Sequence, residues 1–240
     1  MLKYLFVNVM ILYMEIEKYA DLINGEYADR FEKLKAILVD NNKKFNLTAI
    51  CDDEGIFIKH FLDSVIGESL FKNGAYVAEV GSGGGFPSLP LKIVRDDLKF
   101  LLVESTGKKC NHLNEAIRAL DMGGMEVFCG RAEDCTRDER YREKFDCSVA
   151  RAVARLNTLC EYCLPFVKVG GYFIAYKGDV DEEVEEAQKA IKVLGGKFER
   201  VEKYSLPDGD RRALVVIKKI APTPIKYPRG QGKERKSPIV

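Results

Sequence analysis

The residues with the clearest chemical promise are Glu79-Val80-Gly81-Ser82-Gly83-Gly84-Gly85-Phe86, directly after the apolar run AYVAEV (75–80). Glycines packed this closely let a backbone turn sharply and pass close to a ligand, because no Cβ stands in the way. Their spacing restricts the ligand. A dinucleotide turn of the form G-x-G-x-x-G, started at Gly81 and Gly83, needs glycine at 86, where Phe86 stands. A phosphate loop of the form G-x-x-x-x-G-K-[ST] needs a lysine, and none follows. What remains is an acid followed by G-x-G-x-G. Glu104 closes a second apolar run, KFLLVES (99–105), nineteen residues after Gly85. A carboxylate there can accept hydrogen bonds from both hydroxyls of a ribose, as it also does in NAD proteins.

The other reactive side chains point to no second chemistry. Seven cysteines stand at 51, 110, 129, 135, 147, 160 and 163. Their odd number and irregular spacing give no disulfide framework. Cys160 and Cys163 form a single CxxC, and the only histidines, His60 and His112, are distant in sequence. A zinc site needs four ligands, or three and a water. The pair fits the apolar side of a helix with Leu156, Leu159 and Phe166, so buried thiols in a reducing cytoplasm are expected, with no metal.

These residues need a scaffold, and the hydrophobic patterning supplies one. From residue 15 to about 72 apolar residues recur at helical spacing, as in Phe31, Leu34, Ile37 and Leu38, with NNKKFNLTAI as a polar connection. From residue 75 strands and helices alternate. Strands are expected at 75–80, 99–105, 125–130, 145–150 and 171–178, with helices between them and RLNTLCEYCLPFVKVGG read as one. FERVEKYSL and RALVVIKKI close the pattern as a hairpin around PDGDR. Such alternation predicts a mostly parallel sheet covered by helices on both faces, with one antiparallel strand. The domains expected are a helical extension (1–72), the α/β domain (73–220) and an extended basic tail (221–240).

Net charge is +1 from 38 basic and 37 acidic residues, which says little, but its distribution is uneven. Lys218, Lys219, Lys226, Arg229, Lys233, Arg235 and Lys236 stand against one acid, Glu234, in the last 23 residues. A basic run of this kind suits a polyanionic partner. The opening MLKYLFVNVMILYM has an apolar core too short to span a bilayer and no A-x-A cleavage site. Met14 as the true start, or an ordered extension, is expected, with secretion the lesser alternative.

The glycine pattern with Glu104 resembles the first motif of Rossmann-like class I methyltransferases that use S-adenosylmethionine, a cofactor without phosphate. The resemblance sharpens along the chain. KFNLTAI (44–50), KHFLDS (59–64), EVGSGGGFPSLPLKIV (79–94), VESTGKK (103–109), GRAED (130–134), SVARAVA (148–154), YKG (176–178) and KYPRGQGKERKSPI (226–239) match, in order, the RsmG (GidB) family of bacterial 16S rRNA guanine-N7 methyltransferases. The closing segment departs from the family's pattern, because Glu234 or Arg235 replaces a proline.

The resemblance implies a cofactor pocket. Gly81, Gly83 and Gly85 would line the methionine part, with Phe86 as the large apolar residue that follows. Glu104 would take the ribose, Ala132 and Glu133 the adenine, and Arg151 a further cofactor contact. Arg131 is favoured as a site residue, while Asn46, His60 and Lys177 are as well explained by structure as by function. Transfer to guanine N7, which carries an in-plane lone pair and no proton, needs no general base, so positioning dominates. The product ring becomes cationic, so Arg131 and Arg151 belong on a carboxylate or phosphate. The basic tail would contact RNA phosphates, which position a nucleic acid without choosing the base. The implied partner is 16S rRNA or a small-subunit precursor, with no membrane, in a cytoplasmic monomer. The competing readings are a small-molecule methyltransferase, a non-catalytic RNA-binding regulator and an NAD oxidoreductase.

Overall fold

The computed structural model describes residues 16–151, 154–178 and 180–240. The reading of the opening apolar segment falls outside them. Seven strands form one sheet in the order β3-β2-β1-β4-β5-β7-β6. They are β1 (Tyr76–Val80), β2 (Lys99–Glu104), β3 (Met125–Cys129), β4 (Phe145–Arg151), β5 (Val167–Lys177), β6 (Gly196–Ser205) and β7 (Arg211–Lys219). β1 to β5 are parallel, and β7 alone runs antiparallel to both neighbours, β5 and β6. The expected mostly parallel sheet with one antiparallel strand is present.

The pleat sends alternate residues to opposite faces. Val77, Phe100 and Leu102 enter one core, while Ala78, Val80, Leu101 and Val103 enter the other. The first face is covered by α1 (16–24), α2 (Ala28–Phe45), α5 (Ser88–Val94), α6 (Gly107–Ala119) and a helical stretch over 53–65. Phe31, Leu34 and Leu38 of α2 share their cluster with Val77, Leu89 and Leu113, so the N-terminal helices and the sheet bury one continuous core. Arg95 pins this layer, pairing with Glu68 at 3.0 Å and Asp97 at 2.8 Å. The second face carries α7 (Ala132–Cys135), α8 (Leu156–Cys163) and α9 (Asp181–Val193), with Cys160 and Cys163 buried as free thiols.

Three boundaries differ from the sequence expectation. α2 continues through Asn41–Phe45, the stretch read as a connection, and ends where Asn46 takes a left-handed conformation (φ 50°). The helix expected over RLNTLCEYCLPFVKVGG stops at Cys163, and β5 begins at Val167. Pro165 has no N–H to continue the helix and sits in a single 3₁₀ turn, after which Val167 and Val169 favour a strand. The stretch 53–65 widens into a π-helix over Ile56–Leu62, between short α-helical turns α3 (Asp53–Gly55) and α4 (Asp63–Val65).

The C-terminal stretch is not a free extended tail. Lys219 is fully buried, donating to Leu164 O at 2.8 Å and pairing with Glu143 at 3.0 Å. Arg229 grips the buried Glu161 of α8 with Nε and Nη2, at 2.9 and 2.7 Å. The chain then turns into α10 (Lys233–Lys236), where Glu234 is buried and its carbonyl accepts from Thr158 Oγ1 at 3.0 Å. Lys219 and Arg229, both among the basic residues expected to face a polyanion, are thus spent on internal pairs.

Candidate functional site

In an open parallel sheet the crevice lies at the carboxyl ends of the strands where the strand order reverses. Here that point is between β1 and β4. After β1 the chain runs into the glycine turn, with Gly81, Gly83 and Gly85 at φ 74°, 56° and 90°. These left-handed angles are costly for any residue with a Cβ. Gly81 N–H donates to Val103 O at 2.8 Å, and Gly83 N–H donates to Glu104 Oε2 at 3.0 Å. Glu104 Oε1 also accepts from Thr106 N–H at 2.7 Å. Two backbone donors fix this carboxylate and leave it lone pairs for a ligand. From behind, buried His112 bridges Asn41 (3.2 Å) and the Gly84 carbonyl (3.3 Å), propping the turn against α2.

A cavity of about 300 Å³ opens on this turn. Gly81, Gly83, Glu104, Ala132, Glu133 and Arg151 all line it, joined by Lys109, Arg131, Tyr162 and Arg235. Gly85 and Phe86 do not. A Cβ on Gly85 would run into the Leu89 side chain and crowd Leu113, so this glycine serves the packing of the turn onto α5 and α6. Phe86 is buried, stacked on His60 with ring centroids 4.4 Å apart, and its apolar bulk supports the site from beneath. Glu79 lies fully buried under the turn, and burial raises its carboxyl to about 7 against the pull of Ser88 and Arg151.

A second cavity, of about 360 Å³, is lined by Ile50, Lys59, His60, Asp63, Tyr176, Lys177, Gly178 and Arg212, and again by Arg151. Arg151, at the end of β4, thus stands in the wall of both. Its Nη1 donates to Lys59 O at 2.9 Å and to Asp63 Oδ2 at 3.1 Å, and its Nη2 lies 3.3 Å from His60 Nδ1. Its guanidinium sits 5.2 Å from the centroid of the Phe86 ring. Asp63 is held from its other side by Tyr204, whose hydroxyl donates to Oδ1 at 2.7 Å. The expectation that this arginine sits on a carboxylate agrees with that geometry.

The guanidinium has only N–H groups to offer, so His60 Nδ1 must accept and Nε2 must carry the proton, toward Thr48 Oγ1 at 2.9 Å. Burial, followed by the charge of Arg151, drives the His60 pKa down to about 4, so the ring is neutral at physiological pH. The π-helical turn brings the Lys59 carbonyl, His60 and Asp63 to one spot, a common use of this wider helix. Asn46 is exposed and closes α2, and Lys177 pairs with Glu183 at 2.8 Å. Among the described residues no three or more His, Cys, Asp or Glu side chains gather as a metal cluster.

Asp63, Tyr176 and Tyr162 escaped the sequence reading as lining residues, and Arg235 was read only as part of the basic run. The signal for Asp63 is present in KHFLDS, where His60, Asp63 and Ser64 put three polar side chains on a helix face otherwise apolar. Arg235 carries no such signal, because only the folded tail brings it to the cavity.

Sheet order and site together define an S-adenosylmethionine-dependent methyltransferase of the Rossmann-like class. An S-adenosylmethionine-dependent methyltransferase from Aquifex aeolicus superposes with a TM-score of 0.54 at 17% identity, over 70% of this chain and 94% of that one. The family model for GidB, rRNA small subunit methyltransferase G, matches residues 28–215. The ribosomal RNA small subunit methyltransferase G of Acetivibrio thermocellus is 48% identical over 219 residues, 90% of each chain. That of Lactobacillus acidophilus is 43% identical over 233 residues, 94% of this chain and 97% of the relative. The chain belongs to the rRNA small subunit methyltransferase G family. The guanine-N7 rRNA methyltransferase expected from the sequence is the activity of that family, and its cofactor is S-adenosylmethionine.

Proposed function

We propose that the cavity on the glycine turn holds S-adenosylmethionine and that the adjoining cavity receives the guanine of 16S rRNA. The observation that carries this reading is Arg151, a single side chain in the wall of both. The cofactor fits the first cavity on the chemistry of the donors present. Glu104, with free lone pairs, would hold the ribose. The backbone at Gly81 and Gly83 would admit the methionine part, and Ala132 and Glu133 would meet the adenine edge.

When bound, S-adenosylmethionine supplies an electrophilic methyl group next to a positive sulfur. The protein's part is to align a nucleophile that needs no deprotonation, so its contribution is orientation and exclusion of water. Asp63 pairs with Arg151 and so offsets its charge beside a ring that becomes cationic. Neutral His60, locked as the Nε2–H tautomer, adds no charge to the wall. A guanine within a folded rRNA must first be exposed or flipped, and paying for unstacking calls for phosphate contacts outside the cavity. Lys226, Lys233 and Lys236 remain exposed for that role. We assign the chain to the cytoplasm as a monomer acting on a small-subunit precursor. Its seven free thiols suit a reducing compartment. Among the described residues no helix is long and apolar enough to cross a membrane.

Transfer of labelled methyl from S-adenosylmethionine to small-subunit rRNA lacking the modification, followed by nucleoside digestion, tests the assignment. Label in 7-methylguanosine is expected. Label in another nucleoside, or transfer only to small molecules, would overturn it.

A further inference from the structure

The C-terminal segment does more than close the fold. Its path from Thr223 to Lys236 is fixed at four places. Thr223 N–H donates to Glu143 Oε1 at 2.6 Å, and Thr223 Oγ1 donates to Leu194 O at 2.8 Å. Arg142 reaches the Thr223 and Tyr227 carbonyls at 2.8 and 3.0 Å. Arg229 clamps Glu161, and Thr158 holds the Glu234 carbonyl. All four lie on the α8 and α9 side of the sheet. They deliver α10 to the rim where Ala132, Glu133 and Tyr162 form one end of the cofactor cavity.

At that end the segment contributes side chains of its own. Arg235 lines the cavity and lies within reach of the Tyr162 hydroxyl. Glu234 is buried beside Glu133 and Tyr162, with Oε2 unpartnered, and its charge adds to burial in raising the Glu133 carboxyl above its ordinary range. An unpartnered buried carboxylate oxygen is costly unless a donor reaches it.

We infer that residues 223–236 form a strap completing the S-adenosylmethionine cavity, and that Arg235 is a cofactor-binding residue covering its adenine end. The inference rests on the placement of the adenine at Ala132 and Glu133 proposed above. A guanidinium is planar and weakly hydrated, so it can lie on the face of a base, which an ammonium cannot do equally well. The strap therefore couples the last residues of the chain to cofactor affinity, in place of the purely RNA-directed role that their charge suggests.

The test is equilibrium binding of S-adenosylhomocysteine and of an rRNA fragment containing the target region, measured on the full-length protein and its variants. Arg235→Ala is expected to weaken S-adenosylhomocysteine about fivefold, the size of one partly exposed cation–π contact, with RNA affinity within twofold. Arg235→Lys, which preserves charge and solubility, should recover only a minor part of the loss. Arg229→Ala, which unpins the strap from Glu161, should weaken the ligand in the same direction. S-adenosylhomocysteine should also slow tryptic cleavage after Lys233, Arg235 and Lys236. Unchanged ligand affinity in Arg235→Ala, or a loss confined to RNA, would overturn the strap. Glu104→Gln is the control on the underlying reading. If it weakens the ligand while Arg235→Ala does not, only the strap is wrong; if neither does, the cavity assignment itself fails.

Discussion

The two cavities that meet at Arg151 are built by different means. The proposed cofactor side is made chiefly of strand ends and what directly follows them: β1 delivers the glycines, β2 Glu104, and the start of α7 Ala132 and Glu133. Its polar contacts are chiefly between backbone N–H groups and one carboxylate, and these follow from local geometry. The proposed acceptor side is made of side chains from distant parts of the chain. Arg151, Asp63, His60, Tyr204 and Arg212 come from β4, the π-helical stretch, β6 and β7. A turn tolerates changes in the side chains around it. A buried ionic network fails when one member is lost, because the remaining charge is left without a partner. The cofactor side should therefore be most sensitive to changes in the backbone of the glycine turn, and the stability of the acceptor side to single side-chain deletions.

The largest expected effect is on the turn. Gly81→Val places a β-branched residue at φ 74° and a side chain in the cofactor cavity. Binding of S-adenosylmethionine should fall by about a hundredfold or more while the far-ultraviolet spectrum is preserved. Unchanged affinity by calorimetry would remove the cofactor side of the comparison.

Asp63→Ala strips the buried carboxylate from Arg151 and Tyr204. Both partners of the ion pair are largely shielded, with side-chain exposures of 5% for Asp63 and 14% for Arg151. A stability loss of about 3 kcal/mol is expected from denaturant unfolding. In the fraction that folds, methyl transfer should drop far more than cofactor affinity. Parallel losses in both would mean the two sides are one unit.

A pH dependence follows from His60. Its folded pKa of about 4 lies below the ordinary 6.5, so the unfolded chain binds more protons between those values. Above pH 6.5 the ring is neutral in both states and its contribution is fully present. As pH falls from 6.5 toward 4 that contribution is lost, by about 3 kcal/mol at most. His60→Asn should flatten the stability profile in that window. A variant profile parallel to the wild type would show that the ring is not held neutral by burial and Arg151.

The smallest effects belong to the exposed lysines. Lys226→Ala and Lys233→Ala should each weaken RNA binding about threefold at low salt and reduce the salt slope by about one. A loss independent of salt would argue against phosphate contacts.

The same division explains what could be read in the sequence. Glu79, the glycines and Glu104 lie within a short span whose spacing reflects backbone geometry, so the mostly parallel sheet and the cofactor were legible, and Glu104 falls on the cavity wall. Gly85 and Phe86 were assigned to the cavity, yet they support it from outside, because a glycine needed for packing and one needed for ligand approach look alike in sequence. The tail illustrates the opposite failure. Its charge was legible, but the partners that bury Lys219 and hold Arg229, namely Glu143 and Glu161, lie 76 and 68 residues earlier. The π-helical turn was also hidden, since Ile56, Phe57, Phe61, Val65 and Ile66 satisfy an α-helical period.

The most direct test of the account is a crystal structure of the protein with S-adenosylhomocysteine. The ribose hydroxyls are predicted on Glu104, with the adenine between Ala132, Glu133 and Arg235. The sulfur should face the Arg151 wall and the cavity of His60 and Tyr176. A ligand whose sulfur pointed away from that wall, or which occupied the His60 cavity instead, would contradict the division of the site into cofactor and acceptor halves.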